Sequence, residues 1–184
     1  MTSARRVKPW AEQLWHNDEM SAHDLVIRNA SVVDGTGAPA RIADVAVSDG
    51  VITEVGPRLT GTGTREINAD GLTVTPGFVD IHTHFDGQAT WDPILAPSSI
   101  HGVTSIVMGN CGVGFAPARP TPEQHAWLIG MLEGVEDIPG TALAEGLAWD
   151  WETFPDYMNA LDRREYAIDV ATQVAHAPLR AYVM

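Results

Sequence analysis

From His23 onward, short β-branched runs alternate with turn dipeptides, in "HDLVIRNASVVDG", "IADVAVSDGVITEVG" and "TREINADGLTVTPG". Their partial apolar–polar alternation is that of half-buried strands, and Asp34-Gly35 and Asp49-Gly50 punctuate them. The pattern predicts a small antiparallel β unit over residues 23–76, with Asp49-Gly50 as its tightest hairpin. Residues 1–22 carry no period and are expected to form an extension.

Past Pro76-Gly77 the period changes. "FVDIHTH", "VTSIVMGN" and "AIDVATQVAH" are apolar almost throughout, the pattern of strands buried on both faces. Helical segments lie between them. "TPEQHAWLIGMLEGVEDI" opens with Thr121, Pro122 and Glu123, and "TFPDYMNALDRR" with Thr153 and Pro155, both sound helix starts. Strands alternating with helices predict an α/β arrangement of βαβ units with a parallel sheet over residues 77–184. A parallel barrel takes eight strands and about 250 residues. Three strands follow the β unit, and the chain ends on the apolar "LRAYVM", so it is expected to stop in mid-barrel.

Charge narrows the function. The 184 residues hold 11 basic and 24 acidic side chains, a net charge of −13. Nucleic acid and anionic membranes both call for clustered Lys and Arg, so neither is an expected partner. No apolar run approaches a bilayer span, and the N-terminal stretch lacks the apolar core of a signal peptide; a cytoplasmic location is expected. The single cysteine, Cys111, excludes an internal disulfide.

The chemistry concentrates in "PGFVDIHTHFD". Residues two apart on a strand share a face, so His82 and His84 project side by side. A bare His-x-His is more often a pair of hydrogen-bonded rim histidines than a metal site. Here the pair ends an apolar strand, and the carboxyl ends of barrel strands are where active sites sit. Cys111 follows another strand, in the glycine-rich turn of "HGVTSIVMGNCGVGFAP". Alone it would read as a small buried hydrophobe. Beside two imidazoles it becomes a credible thiolate ligand for zinc. A Cys–His nucleophilic pair, with His82, His84 or His176 as base, is the rival chemistry; it gives the His-x-His spacing no particular use.

The remaining polar residues are assigned more ordinary roles. Asp86 and Asp92 could orient an imidazole, but turn or capping roles are favoured. Asn110 is expected to fix the glycine turn through its side chain. Glu133, Glu136 and Asp137 are expected to form a solvated acidic face, and His16, His23, His101 and His125 to be surface residues. His176 is a candidate for lining a substrate pocket, with a hydrogen-bonded rim histidine the competing role. Arg180 could meet an acidic group of the substrate, with a surface or salt-bridge role favoured, and Trp149 and Trp151 could wall a pocket or pack under the barrel loops.

"TVTPGFVDIHTHFDGQATWDP" and "HGVTSIVMGNCGVGFAP" together resemble the amidohydrolase superfamily, in its D-aminoacylase or N-acyl-D-amino-acid deacylase branch. The Gly-Asn-Cys-Gly turn is the more selective part, and "LEGVEDIPG" and "VAHAPLRAYVM" are similar to the same branch. The resemblance implies a partial (β/α)₈ TIM-type barrel, about its first three βα units, preceded by a β-sandwich segment. It implies His82, His84 and Cys111 as ligands of one or two divalent ions, zinc foremost. It implies metal-assisted hydrolysis of a linear amide in a small N-acyl amino acid, with the general acid/base aspartate beyond Met184 and this chain inactive alone. A cyclic-amide hydrolase of the dihydropyrimidinase or dihydroorotase kind, and a non-catalytic binding or assembly module, are the alternatives. The first uses a modified lysine where this chain has a cysteine.

Overall fold

A computed structural model describes residues 22–184. The expected extension, with His16, therefore lies outside the described residues except for Ala22. The chain divides into two compact units, Met1–Pro76 and Gly77–Met184.

The first unit is built on β1 (Ala22–Val32), β2 (Arg41–Ser48), β3 (Val51–Gly56), β4 (Thr62–Asn68) and β5 (Thr73–Val74). Asp49 and Gly50 join β2 to β3 with φ of 51° and 72°, the left-handed pair a two-residue hairpin needs. The sheet order is β3-β2-β1-β4, with β5 also on β1. β1–β2 and β2–β3 are antiparallel as expected, but β4 and β5 run parallel to β1. The antiparallel expectation is corrected there because a period of two reports which face a side chain takes and not which strand lies alongside. Among the described residues this unit forms one five-stranded sheet. Val26, Ala30, Val32, Ala43, Val45 and Ala46 are buried on it. His23, expected at the surface, is buried as well, its Nδ1 3.0 Å from the Ser48 hydroxyl.

A buried carboxylate pins the bend in β1. Asn29 takes φ 59°, and the β1–β2 register shifts between Ile27 and Ala30. The freed Asn29 N–H donates to Asp44 Oδ1 at 2.8 Å, the Leu59 N–H donates to Oδ2 at 3.1 Å, and Arg28 stands 3.3 Å away. Burial alone would raise the Asp44 carboxyl, yet these donors outweigh it and hold the group below its ordinary value.

The second unit carries β6 (Phe78–Thr83), β7 (Val103–Met108) and β8 (Asp169–Thr172), all parallel, in the order β6-β7-β8. Helices α1 (Pro122–Glu136), α2 (Gly140–Gly146), α3 (Phe154–Asp162) and α4 (His176–Val183) complete it. The helix starts fall where the sequence puts them. Thr121 caps α1 by accepting from the Gln124 N–H, and Thr153 and Asp156 form a reciprocal capping box on α3. Ile106, Met108, Phe115, Leu128, Leu132 and Tyr157 centre the core.

The strands are not buried on both faces throughout. Phe78, Val79 and Ile81 are 64%, 61% and 64% exposed, because β6 is an edge strand paired, among the described residues, with β7 alone. No described helix is long and apolar enough to cross a membrane.

Asp44→Ala leaves Arg28 and two backbone N–H groups short of an acceptor and is expected to destabilise the first unit by about 2 kcal/mol in urea denaturation. Since the folded-state pKa of Asp44 is depressed, its contribution is complete above the ordinary carboxylate pKa of about 3.9 and fades as pH falls through the lower folded value. The wild-type and Asp44→Ala stability curves are therefore expected to converge in acid.

Candidate metal centre

Parallel pairing brings the carboxyl ends of β6 and β7 together, with Thr83 opposite Met108. His82 is the last residue but one of β6 and His84 follows its end. Their rings stack with centroids 5.6 Å apart and planes 24° from parallel. His82 is exposed, whereas His84 and Cys111 are half-buried.

The turn after β7 is built to close tolerances. Gly109 takes φ 79°, and a Cβ on it would lie 2.4 Å from the Gln173 carbonyl oxygen. Only glycine lets the chain leave β7 so near the end of β8. The Gly112 N–H donates to the Gly109 carbonyl at 3.0 Å and closes the turn. The Asn110 side-chain amide donates to the Ile81 carbonyl at 3.0 Å, which ties the turn to β6. Cys111 Sγ thus stands 3.9 Å from His84 Nδ1, and the donor atoms of His82, His84 and Cys111 all lie within 4.8 Å of one another.

Two imidazoles and a thiol form a nitrogen–sulfur donor set, which suits zinc better than the oxygen-seeking cations. Ligand atoms around a tetrahedral zinc stand about 3.3–3.6 Å apart. The three donors therefore fit one ion after closing by about 1 Å, a shift within the reach of side-chain rotation.

Asp86 differs most from its expected turn role. It is 2% exposed, and its Oδ2 has no hydrogen-bond partner among the described residues. Burial pushes its carboxyl up to about 7, against the smaller opposing pull of its own N–H and that of Gly109. The Tyr157 hydroxyl donates to the Asp86 carbonyl at 2.7 Å. Nothing beside Asp86 in the sequence marks that burial, since Tyr157 and the turn after β7 lie far along the chain. Asp92 does take the turn role, accepting from the Ile94 N–H at 2.8 Å.

His176 begins α4 and is not among the three clustered donors. It stands close by: a Cβ on Gly112 would lie 3.8 Å from the His176 Cβ, and the Ala177 N–H donates to the Gly112 carbonyl at 2.8 Å. His176 also lines a cavity of about 850 Å³ with Arg119, Arg180, Trp127, Met131 and Ala181. His125, expected at the surface, instead stacks on Trp149 with centroids 3.8 Å apart, and burial lowers its pKa. Trp151 is buried and donates to the Phe115 carbonyl at 2.9 Å, in keeping with a packing role.

The amidohydrolase family profile matches residues 65–184. An N-acyl-D-aspartate deacylase of Alcaligenes xylosoxydans is 35% identical over 169 residues, 91% of this chain and 31% of that protein. The crystal structure of an N-acyl-D-glutamate deacylase from Bordetella bronchiseptica, complexed with zinc and a phosphonate inhibitor, superposes with a TM-score of 0.71. It is 36% identical over 89% of this chain and 32% of its own. A D-aminoacylase with a binuclear metal centre gives a TM-score of 0.70 at 35% identity, over 88% of this chain and 31% of that one. The chain thus spans about a third of the length of these relatives.

Two glycines separate strain from close approach. Gly109→Ala places a methyl against backbone as well as forcing an unfavourable φ, and is expected to cost about 2–4 kcal/mol. Gly112→Ala at φ 90° meets only the 3.8 Å contact with His176 and is expected to cost about 1–2 kcal/mol. Chemical denaturation of both variants measures the difference, and equal losses would mean that the Gln173 contact yields freely.

Proposed function

Because this chain belongs to the amidohydrolase family, we propose that it supplies the first ligands of a zinc centre in a hydrolase of N-acyl-D-amino acids. The observation that carries the reading is the convergence of His82, His84 and Cys111 from two adjacent strand ends, with donor atoms within 4.8 Å. The parallel strands β6, β7 and β8 are then the opening three of a (β/α)₈ barrel, and the site lies at the strand ends where such barrels work.

In this proposal His82 and His84 hold the ion through neutral imidazole nitrogens and Cys111 holds it as a thiolate. Bound zinc lowers the pKa of water toward about 7 and polarises an amide carbonyl, the two requirements for hydrolysis at neutral pH. Asn110 and Gly109 keep Cys111 in reach of the histidines by fixing the turn to β6 and β8. His176 contributes to substrate binding, since it stands beside Gly112 and opens onto the cavity that Arg119 and Arg180 share. Two guanidinium groups there suit the carboxylate that every N-acyl amino acid carries. The proton transfers to and from the amide are assigned to no residue of this chain. The substrate is a small molecule, and the net charge of −13 disfavours nucleic acid.

Metal content and turnover test the proposal separately. The chain is expected to take up zinc, measured by elemental analysis after dialysis, and Cys111→Ala to bind it at least about tenfold more weakly. Unchanged uptake in that variant removes Cys111 from the ligand set. The protein containing this chain is expected to hydrolyse N-acetyl-D-amino acids in preference to their L forms. Turnover of ring amides alone would overturn the linear-amide assignment, and a zinc-free protein without amidase activity would make the fold a binding module.

A further inference from the structure

Asp86 is a carboxylate that neither the proposed ligand set nor the core explains. A buried carboxylate with an unpartnered oxygen is costly and calls for an explanation. Its backbone belongs to the histidine segment, two residues past His84, and is anchored there by the Tyr157 hydroxyl on its carbonyl. Its side chain reaches the other segment. Oδ1 lies 2.9 Å from where a Cβ on Gly114 would stand, so the carboxylate takes the space a side chain at residue 114 would enter. Gly114 lies three residues past Cys111, so this buried side chain packs against the loop that presents the thiol.

We propose that Asp86 is a positioning residue that fixes the Cys111 turn against the His82–His84 segment. The inference rests on the metal reading for its consequence, though not for its geometry. Asp86 is not itself among the clustered donors, so its effect on a bound ion passes through Cys111. Removing the carboxylate frees the turn to drift from the histidines, and removing the thiol makes Asp86 irrelevant to metal affinity.

That dependence is what an experiment can read. Cobalt(II) titration of the 184-residue chain follows affinity and, through the thiolate-to-cobalt charge-transfer band, the cysteine contact. Asp86→Ala is expected to weaken cobalt binding about 10–100-fold and to diminish that band. In a Cys111→Ala background the same substitution is expected to change affinity by less than about twofold, because the two act as one unit. An equal loss in both backgrounds, or no loss in either, would overturn the proposal. Should Asp86→Ala lose cooperative unfolding, Asp86→Asn, of nearly the same volume, replaces it in both arms. A wild-type chain that takes up no cobalt would instead sink the metal reading. Alkylation of Cys111 in metal-free protein then decides the inference: it is expected to run several-fold faster in the Asp86 variants, and an unchanged rate overturns it.

Discussion

Everything at the candidate centre depends on parallel pairing between β6 and β7. In an antiparallel pair the strand ends point in opposite directions, and residues that follow each strand are separated by its length. Here Thr83 pairs with Met108, so the residues that follow emerge at one edge of the sheet. Three further constraints convert that nearness into a site. Gly109 allows β7 to end against Gln173, Asn110 ties the turn back to Ile81, and Asp86 packs against Gly114. Each joins main chain or a buried group of one segment to another, so the donors inherit the rigidity of the sheet rather than the freedom of loops.

The parts legible in the sequence are those governed by local rules. The two-residue period of a strand puts His82 and His84 on one side, and the apolar runs before them and before Cys111 mark strand ends. Thr121 and Thr153 announce their helices because capping needs only a hydroxyl and the N–H three residues on. Asp49-Gly50 announces its hairpin because few other pairs tolerate two left-handed residues in a row.

What was not legible depended on partners distant in the chain. His23 is buried beside Ser48, and His125 is half-buried against Trp149, which nothing adjacent to either histidine in the sequence foretells. β4 returns to the far side of β1 rather than extending the meander, because strand order is decided by which edge is open and how the connections pack. The apolar run of β6 suggested burial, but a run of apolar residues gives hydropathy and not coverage. Local sequence favours a turn role for Asp86, since aspartate before glycine commonly makes one. Its burial comes from Tyr157 and from the turn after β7, both remote in sequence.

The open side of β6 has a bearing on how these 184 residues behave in concentrated solution. Phe78, Val79 and Ile81 present apolar side chains along a strand whose outer backbone groups have, among the described residues, no strand alongside, the arrangement that templates edge-to-edge growth between molecules. Asp80 is the one charged residue within that run. The main counterweight is electrostatic and molecule-wide: at −13 the chains repel one another over about 10 Å at 0.1 M salt and over a much shorter range as salt is added. Colloidal stability of the chain is thus a contest between a short adhesive edge and a long-range charge, and ionic strength sets the balance.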